Sequence, residues 1–159
     1  MSNEYKEGNN TMVQLRNFNE RDISILKQYK YQNKSIEEIK DMITQWNTRE
    51  YCGKYFEMFA ICVDEKVVVG FVSLYQHEDY SISAGPEIFL PYRQKGYGYE
   101  AITLAYDYAK KKGYKSASIR IRADNTASIR LHEKYGFLRD CEMINKKGNA
   151  VYVYSKIIE

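Results

Sequence analysis

The stretch best suited to chemistry is the turn Tyr92–Gly98, which carries the spacing Arg-x-x-Gly-x-Gly. A strand-like run stops at Pro91 and a helical pattern begins near Tyr97, so the turn joins a strand to a helix. Its glycines permit positive φ angles and the close approach of a ligand, and the helix start offers unpaired backbone N–H groups. Such N–H groups and the positive end of a helix dipole attract anions. The turn is therefore either a phosphate cradle or an ordinary basic connection.

Strands and helices on both sides must position this cradle. The elements predicted before it are a strand at 12–16, helices at 20–29 and from residue 35, and strands at 55–63, 66–75 and 80–90. Ser35 and Glu38 form a capping box, which marks the start of the second helix. Gly85–Pro86 lies inside the last of these strands, where it predicts a bulge or a break in pairing just before the cradle.

The elements predicted after the cradle are a helix at 97–112, a strand at 116–122, a helix at 126–135 and strands at 137–144 and 150–158. Ala101, Leu104, Ala105 and Tyr108 are predicted to form the buried stripe of the third helix. The order β-α-α-β-β-β-α-β-α-β-β runs without a repeat or linker. It predicts an α/β (α+β) fold, with one mixed sheet and helices on both faces.

Composition narrows the class of protein. The 159 residues, 44% of them hydrophobic, suit one domain at 11–159 that follows a polar and flexible segment at 1–10. No apolar run approaches the ~18 residues of a membrane span and no signal segment is evident, which predicts a cytoplasmic protein without a membrane partner. Cys52, Cys62 and Cys141 lack paired spacing, so neither a disulfide framework nor a metal site is predicted.

Charge is distributed unevenly along the chain. The net charge of +3 is too small to indicate a nucleic-acid partner. Residues 50–90 contain seven acids and two lysines, whereas residues 91–122 contain eight bases and two acids. This division either reflects solvated faces or predicts a polyanionic ligand on one side and a cationic acceptor, such as a polyamine, on the other.

Two sequence blocks, EIFLPYRQKGYGYEA and ADNTASIRLHEKYGF, together with the order of elements, resemble the GNAT superfamily of acyl-CoA-dependent N-acyltransferases. The resemblance spans nearly the whole chain. It implies a mostly antiparallel sheet whose central strand pair splays apart, and acetyl-CoA as the cosubstrate without a metal. A homodimer is compatible with such a chain.

The resemblance also implies which residues contact coenzyme A: Glu87, Ile88, Phe89, Arg93, Gln94, Lys95, Gly96, Tyr97, Gly98, Asn125, Ser128 and His132. Asn125 is equally well explained as a helix cap. His132 stands where much of the family has a thiol-facing tyrosine, which is a departure from the family pattern. Tyr135 is assigned to the core instead.

Acetyl transfer to an amine needs a base, a donor for the carbonyl oxygen and a proton for the thiolate. Glu87 is the predicted base and a backbone N–H near Ile88 the predicted donor, although Glu87 also reads as a strand-surface carboxylate. His132 is either the acid or a half-buried helix histidine that merely packs or contacts the coenzyme. The predicted function is acetyl transfer from acetyl-CoA to a primary amine of a small molecule or a peptide; a non-catalytic acyl-CoA-binding module is the alternative.

Overall fold

The computed structural model describes residues 12–159, so the predicted flexible segment 1–10 lies outside the described residues. The strands are β1 (Val13–Asn17), β2 (Glu50–Tyr51), β3 (Lys54–Val63), β4 (Val67–Gln76), β5 (Ile82–Ile88), β6 (Ser116–Arg122), β7 (Leu138–Ile144) and β8 (Ala150–Ile157). The α-helices are α1 (Ile23–Tyr29), α2 (Ile36–Trp46), α3 (Tyr97–Lys111) and α4 (Thr126–Tyr135). This order agrees with the sequence prediction except for the two-residue strand β2.

The strands form one sheet in the order β1-β3-β4-β5-β6-β8-β7, with β2 paired to β3. Only β5 and β6 are parallel among the strand pairs of the described residues. One face of the sheet, here called the α3 face, packs against α3 and α4. The other, here called the α1 face, packs near β3 and β4 against Leu26 of α1 and Ile39 of α2. The predicted helices on both faces are therefore confirmed. No helix in residues 12–159 combines the length and the apolar character needed to cross a membrane.

The predicted splay of the central strand pair is confirmed at β5 and β6. These strands share a single backbone pair, Ile82 with Ala117, at the point where both begin. Serine side chains reinforce this apex: the Ser83 hydroxyl donates to the carbonyl of Ser118, and the hydroxyls of Ser81 and Ser118 lie 2.9 Å apart. Beyond the apex the two strands diverge and leave a cleft between them, which we call the central cleft.

The predicted break at Gly85–Pro86 is wrong. Strand β5 stays in register with β4 through both residues, with Val72 opposite Pro86 and Ser73 opposite Gly85. The strand tolerates proline here because residues on an antiparallel strand alternate between facing the partner and facing away. The N–H of Ala84 bonds to a helix side chain rather than to β4, so the even-numbered positions, Pro86 included, face away from β4. The N–H that proline lacks would have pointed into the central cleft, so its absence removes no hydrogen bond to β4.

The buried stripe of α3 differs from the prediction by part of a turn. Ala101 and Ala105 are buried as expected, but Ile102, Tyr106 and Ala109 complete the stripe. Leu104 is 37% exposed. The lateral position of α3 on the sheet decides this rotation, and helical periodicity alone does not encode that position.

Gly70 allows β4 and β5 to approach each other beside the site. A Cβ atom at this position would lie 2.1 Å from the carbonyl oxygen of Glu87 and 2.9 Å from the Cα of Ile88. Both atoms belong to the backbone, so no side-chain rotation could relieve the overlap. Only glycine therefore keeps the end of β5 where it is.

Candidate active site

The cradle turns the chain from the end of β5 into α3. Gly96 is the N-cap residue of α3 and has φ +83°, while Gln94 has φ +63°. The positive φ angle predicted for the glycines therefore holds at Gly96. The Arg93 side chain folds back, and its Nε donates to the carbonyl of Ile88 at 2.8 Å. This bond ties the cradle to the strand that leads into it.

Space for a ligand lies directly above the start of α3. A Cβ atom on Gly96 would meet nothing within 4 Å, and one on Gly98 would make only ordinary contacts with Ile88 and Leu131. Gly98 lies in the first turn of α3. Because it has no side chain, it leaves the helix N-terminus uncovered on its side. The first N–H groups of an α-helix have no partner within the helix, and neither Gly96 nor Gly98 places a side chain beside them.

The edge of β5 along the central cleft offers few hydrogen-bonding groups. The N–H of Ala84 donates to the hydroxyl of Tyr106 at 3.0 Å, and Pro86 has no N–H. The strand alternation points the N–H of Ile88 into the cleft. Ile88 therefore supplies the one donor that this edge presents beyond Ala84 within β5.

The other two strand residues predicted to contact coenzyme A are oriented differently. Phe89 donates its N–H to the carbonyl of Val69 at 2.8 Å, and its side chain is buried against Tyr29, with ring centroids 4.9 Å apart. The same alternation directs the backbone groups of Glu87 toward β4. The structure thus brings Ile88 to the central cleft but holds the backbone of Glu87 and Phe89 in pairing with β4.

The Glu87 side chain lies on the α1 face, where it is partly exposed. Its Oε1 accepts a hydrogen bond from the Lys30 Nζ at 2.9 Å, and Lys30 follows directly after α1. The two side chains are 36% and 38% exposed. An ion pair this exposed adds little to stability, at most about 1 kcal/mol, so an incoming cationic group can displace Lys30 at small cost.

Helix α4 carries the remaining predicted residues. The Asn125 side chain accepts the N–H of Ser128 at 3.2 Å, so its role as a helix cap is confirmed. One turn further on, the Nδ1 of His132 lies 2.7 Å from the carbonyl of Ser128. Because a carbonyl oxygen only accepts, Nδ1 carries the hydrogen and Nε2 of the neutral ring presents a lone pair.

His132 is fully buried, and its Nε2 is the one buried side-chain polar atom of the described residues without a hydrogen-bond partner. A buried polar atom left unpaired costs about 1–3 kcal/mol. Burial lowers the pKa of His132, while the backbone groups of Ser128 and Ala84 act in the opposite direction. The backbone of Ala84 lies on the cleft edge of β5, two residues beyond the apex, so the ring belongs to this edge of the central cleft. Glu133, which could have raised this pKa, instead accepts a hydrogen bond from Tyr154 at 2.8 Å.

Tyr106 was not predicted from the sequence as part of the site. Its ring is fully buried between Tyr135 and Phe137, with centroids 5.3 and 5.5 Å away. Its hydroxyl accepts a hydrogen bond from the N–H of Ala84. Tyr106 and His132 therefore close the narrow end of the central cleft from the α3 face. The sequence does carry a signal for this burial. Ile102 and Tyr106 are four residues apart, so they lie on the same side of α3, next to its buried alanines.

The state of His132 predicts how stability depends on pH. The ring has a pKa near 6.5 in the unfolded chain and a lower pKa in the folded one, so the unfolded state takes up a proton first as pH falls. We expect the free energy of unfolding to decrease below about pH 6.5, by up to about 1.4 kcal/mol per pH unit from this residue. Urea unfolding at pH 7.5 and 5.5 measures this decrease.

The chain has two histidines, which supplies a control. His132→Phe should flatten the difference between the two pH values, whereas His77→Gln should retain it. Parallel pH profiles for the parent and His132→Phe would show that His132 does not carry this dependence.

Comparison with known proteins places this geometry in a family. A family model described as an acetyltransferase (GNAT) domain matches residues 12–138. An uncharacterized N-acetyltransferase of Bacillus subtilis, YycN, is 25% identical over 114 residues, which cover 68% of this chain and 72% of that protein.

Solved structures share the fold. An acetyltransferase of Salmonella typhimurium that modifies the N-terminal serine of ribosomal protein L7/L12 has a TM-score of 0.75 at 18% identity, covering 95% of this chain and 98% of that one. The spermidine N-acetyltransferase of Vibrio cholerae, in complex with CoA and spermine, has a TM-score of 0.73 at 16% identity and covers 91% and 95% of the two chains. Since the family model matches about four fifths of the residues, the chain belongs to the GNAT family of acetyltransferases.

Proposed function

We propose that this N-acetyltransferase holds acetyl-CoA along the cradle and the central cleft and transfers the acetyl group to a primary amine that approaches from the α1 face. The observation that carries the proposal is the continuity of three groups. The bare N-terminus of α3, the N–H of Ile88 and the unpaired Nε2 of His132 follow one another from the cradle into the cleft.

The coenzyme fits the groups that the chain provides. The pyrophosphate belongs at the cradle, where Gln94, Lys95, Gly96, Tyr97 and Gly98 offer backbone N–H groups and Arg93 braces the turn. The amide groups of the pantetheine arm belong along the edge of β5 near Ile88. Asn125 and Ser128 flank the opposite side at the start of α4.

The thioester contributes an electrophilic carbonyl carbon, and the protein contributes its surroundings. The amine nitrogen forms a bond to the acetyl carbon, the carbon–sulfur bond breaks, and the proton lost by the amine balances the thiolate that leaves. The N–H of Ile88 is placed to donate to the carbonyl oxygen as negative charge develops there. Holding both substrates in one geometry supplies several kcal/mol of the barrier by itself.

One side chain is proposed to move a proton and a second to contact the thiol. The ammonium group displaces Lys30 from the carboxylate, and Glu87 takes its extra proton, which leaves the neutral amine that attacks the thioester. His132 is neutral near pH 7 because burial lowers its pKa, so its Nε2 accepts a hydrogen bond from the thiol rather than donating a proton. An acid role for His132 would require the ring to be protonated first.

The similar solved structures include an enzyme that acetylates spermidine and one that modifies a protein N-terminus, so each acts on an amine. The acidic residues that suggested a cationic acceptor do not gather at the cleft. Glu57 is buried beneath Tyr55, Glu65 bonds to Gln14 in the β3–β4 turn, and Glu78 pairs with Lys54. One similar structure is dodecameric, and a homodimer stays a prediction for this chain.

Measuring thiol release from acetyl-CoA with a panel of amines tests the function. We expect thiol release and an acetylated amine in equal amounts, and Glu87→Gln should lower kcat near neutral pH by about 10²-fold. Glu50→Gln, at an exposed carboxylate of β2, is the matched control and should retain the parental rate. Coenzyme binding without turnover for every amine would indicate a binding module instead. A Glu87→Gln rate within about threefold of the parent would remove Glu87 as the base.

A further inference from the structure

A second set of charges lies across the central cleft from Glu87, on β6. Ala117 and Ile121 of this strand are buried in the core of the α3 face, so the alternating side chains of Arg120 and Arg122 point to the α1 face. Both arginines are exposed. Ser83 and Ser118 meet on the same face at the apex, which places the carboxylate of Glu87 and these two arginines on one face of the two diverging strands.

These arginines belong to a built groove rather than to an open strand surface. The turn between β7 and β8 folds over the same face, and together they line a groove of about 540 Å³. Val151 of β8, which pairs with Arg122, is only 6% exposed. We call this the basic groove, and its lining is Arg120, Arg122, Met143, Ile144, Asn145, Lys146, Lys147 and Asn149.

Among the described residues, the lining of the basic groove contains four cations and no carboxylate. Arg122 pairs with Asp124 at 2.7 Å at one end, and within residues 12–159 no ion pair involves Arg120, Lys146 or Lys147. The turn that carries the lysines is held in shape, because the Asn145 side chain accepts the N–H groups of Lys147 and Asn149 at 3.0 and 2.9 Å. Cations fixed side by side repel each other and are stabilised by an anionic ligand.

The groove faces the acceptor side of the sheet. The cradle opens at the N-terminus of α3, and α3 packs on the opposite face, so the phosphates of the coenzyme belong to the α3 face. The groove crosses from β6 over β8 to the β7–β8 turn, a distance of about 10 Å for two strand spacings. That width is greater than one carboxylate or one phosphate spans. It matches about three residues of an extended peptide at ~3.3 Å each.

We infer that the acceptor is the N-terminal amine of a peptide whose next few residues are acidic. The amine reaches Glu87 on β5 while the acidic side chains occupy the basic groove beside β6. The two sides of the central cleft therefore bind opposite charges of the same molecule. This inference rests on the proposed acetyl transfer and names its acceptor class. A polyamine offers only positive charge and would gain nothing from the four cations of the basic groove.

The test compares acceptors that differ only in charge. Tetrapeptides that begin with alanine and continue with three aspartates, three asparagines or three lysines are assayed with the full chain and saturating acetyl-CoA, beside spermidine and phosphoethanolamine. We expect kcat/KM to be highest for the aspartate peptide, about tenfold above the isosteric asparagine peptide. Raising salt should remove most of this advantage, because the Debye length falls to about 3 Å at 1 M.

Charge reversal in the groove gives the second arm. Arg120→Glu and Lys147→Glu should each lower kcat/KM for the aspartate peptide roughly tenfold, since repulsion replaces an attraction of similar size at an exposed site. They should leave the asparagine peptide within about twofold. Lys66→Glu makes the same change in charge on the exposed β3–β4 turn and should alter neither value.

Each other outcome has a defined meaning. A preference for the lysine peptide, the asparagine peptide, spermidine or phosphoethanolamine would overturn the inference while leaving acetyl transfer intact. Weaker binding of coenzyme A to Arg120→Glu, measured by calorimetry, would assign the groove to the coenzyme and overturn it as well. If acetyl-CoA binds and no amine of the panel is acetylated, the proposed function itself fails.

Discussion

Substituting Gly96 by valine is expected to weaken the binding of coenzyme A by tenfold or more. The residue has φ +83°, a conformation that a β-branched side chain adopts only at a cost of about 1–3 kcal/mol. A cost of 1.4 kcal/mol already corresponds to tenfold in affinity if the cradle must take this conformation to bind. The new side chain would also occupy the open space over the N-terminus of α3. Isothermal titration of coenzyme A into both proteins measures the loss.

Gly148 provides a matched control for this experiment. It has φ +84° in the turn between β7 and β8, and a Cβ atom there would also meet nothing within 4 Å. Gly148→Val therefore carries the same backbone strain far from the cradle, and it should retain the parental affinity for coenzyme A. If folded Gly96→Val binds coenzyme A as tightly as the parent, the phosphates are bound elsewhere.

Gly70→Ala is expected to have the largest effect on stability and activity together. Its Cβ would overlap the backbone of Glu87 and Ile88, so β4 and β5 must separate, at a cost of about 2–3 kcal/mol in unfolding free energy. The same separation displaces the N–H of Ile88, and a misplacement of about 1 Å costs on the order of 10²-fold in rate. Denaturant unfolding and kcat/KM for the same preparation measure the two effects.

Gly85→Ala is the comparison for stability. Gly85 lies on the adjacent strand, and its Cβ would meet only the side chain of Ser73, at 3.4 Å. We expect this variant to unfold within about 1 kcal/mol of the parent. Equal stability losses for Gly70→Ala and Gly85→Ala would mean that the close approach at Gly70 is not what constrains these strands.

Features that depend on neighbouring residues in the chain were predictable from the sequence. The capping box of Ser35 and Glu38 starts α2 where it was expected, and the Asn125 cap starts α4. Gly96 takes the positive φ angle that its place in the turn required. Each of these rests on hydrogen bonds or dihedral angles within a few residues, so the local sequence contains the information.

Features that depend on distant contacts were not predictable. The rotation of α3 that buries Tyr106 depends on where the helix lies on the sheet, and the pairing of Glu87 with Lys30 joins residues 57 positions apart. The tolerance of β5 for Pro86 depends on which edge of the strand meets β4. A glycine inside a strand does signal a bulge or a close approach, so Gly70 could have been flagged from the sequence, but its partner atoms could not.

The single backbone pair at Ile82 and Ala117 divides the sheet mechanically. Strands β1, β3, β4 and β5 form one hydrogen-bonded unit and β6, β8 and β7 form another, joined at the apex and by the helices of the α3 face. A continuous ladder would join these units along their whole length, whereas in this sheet backbone pairing joins them only at the apex. The width of the central cleft is therefore set by the helices that pack across the α3 face and by the serine contacts at the apex, and not by hydrogen bonds along the strands.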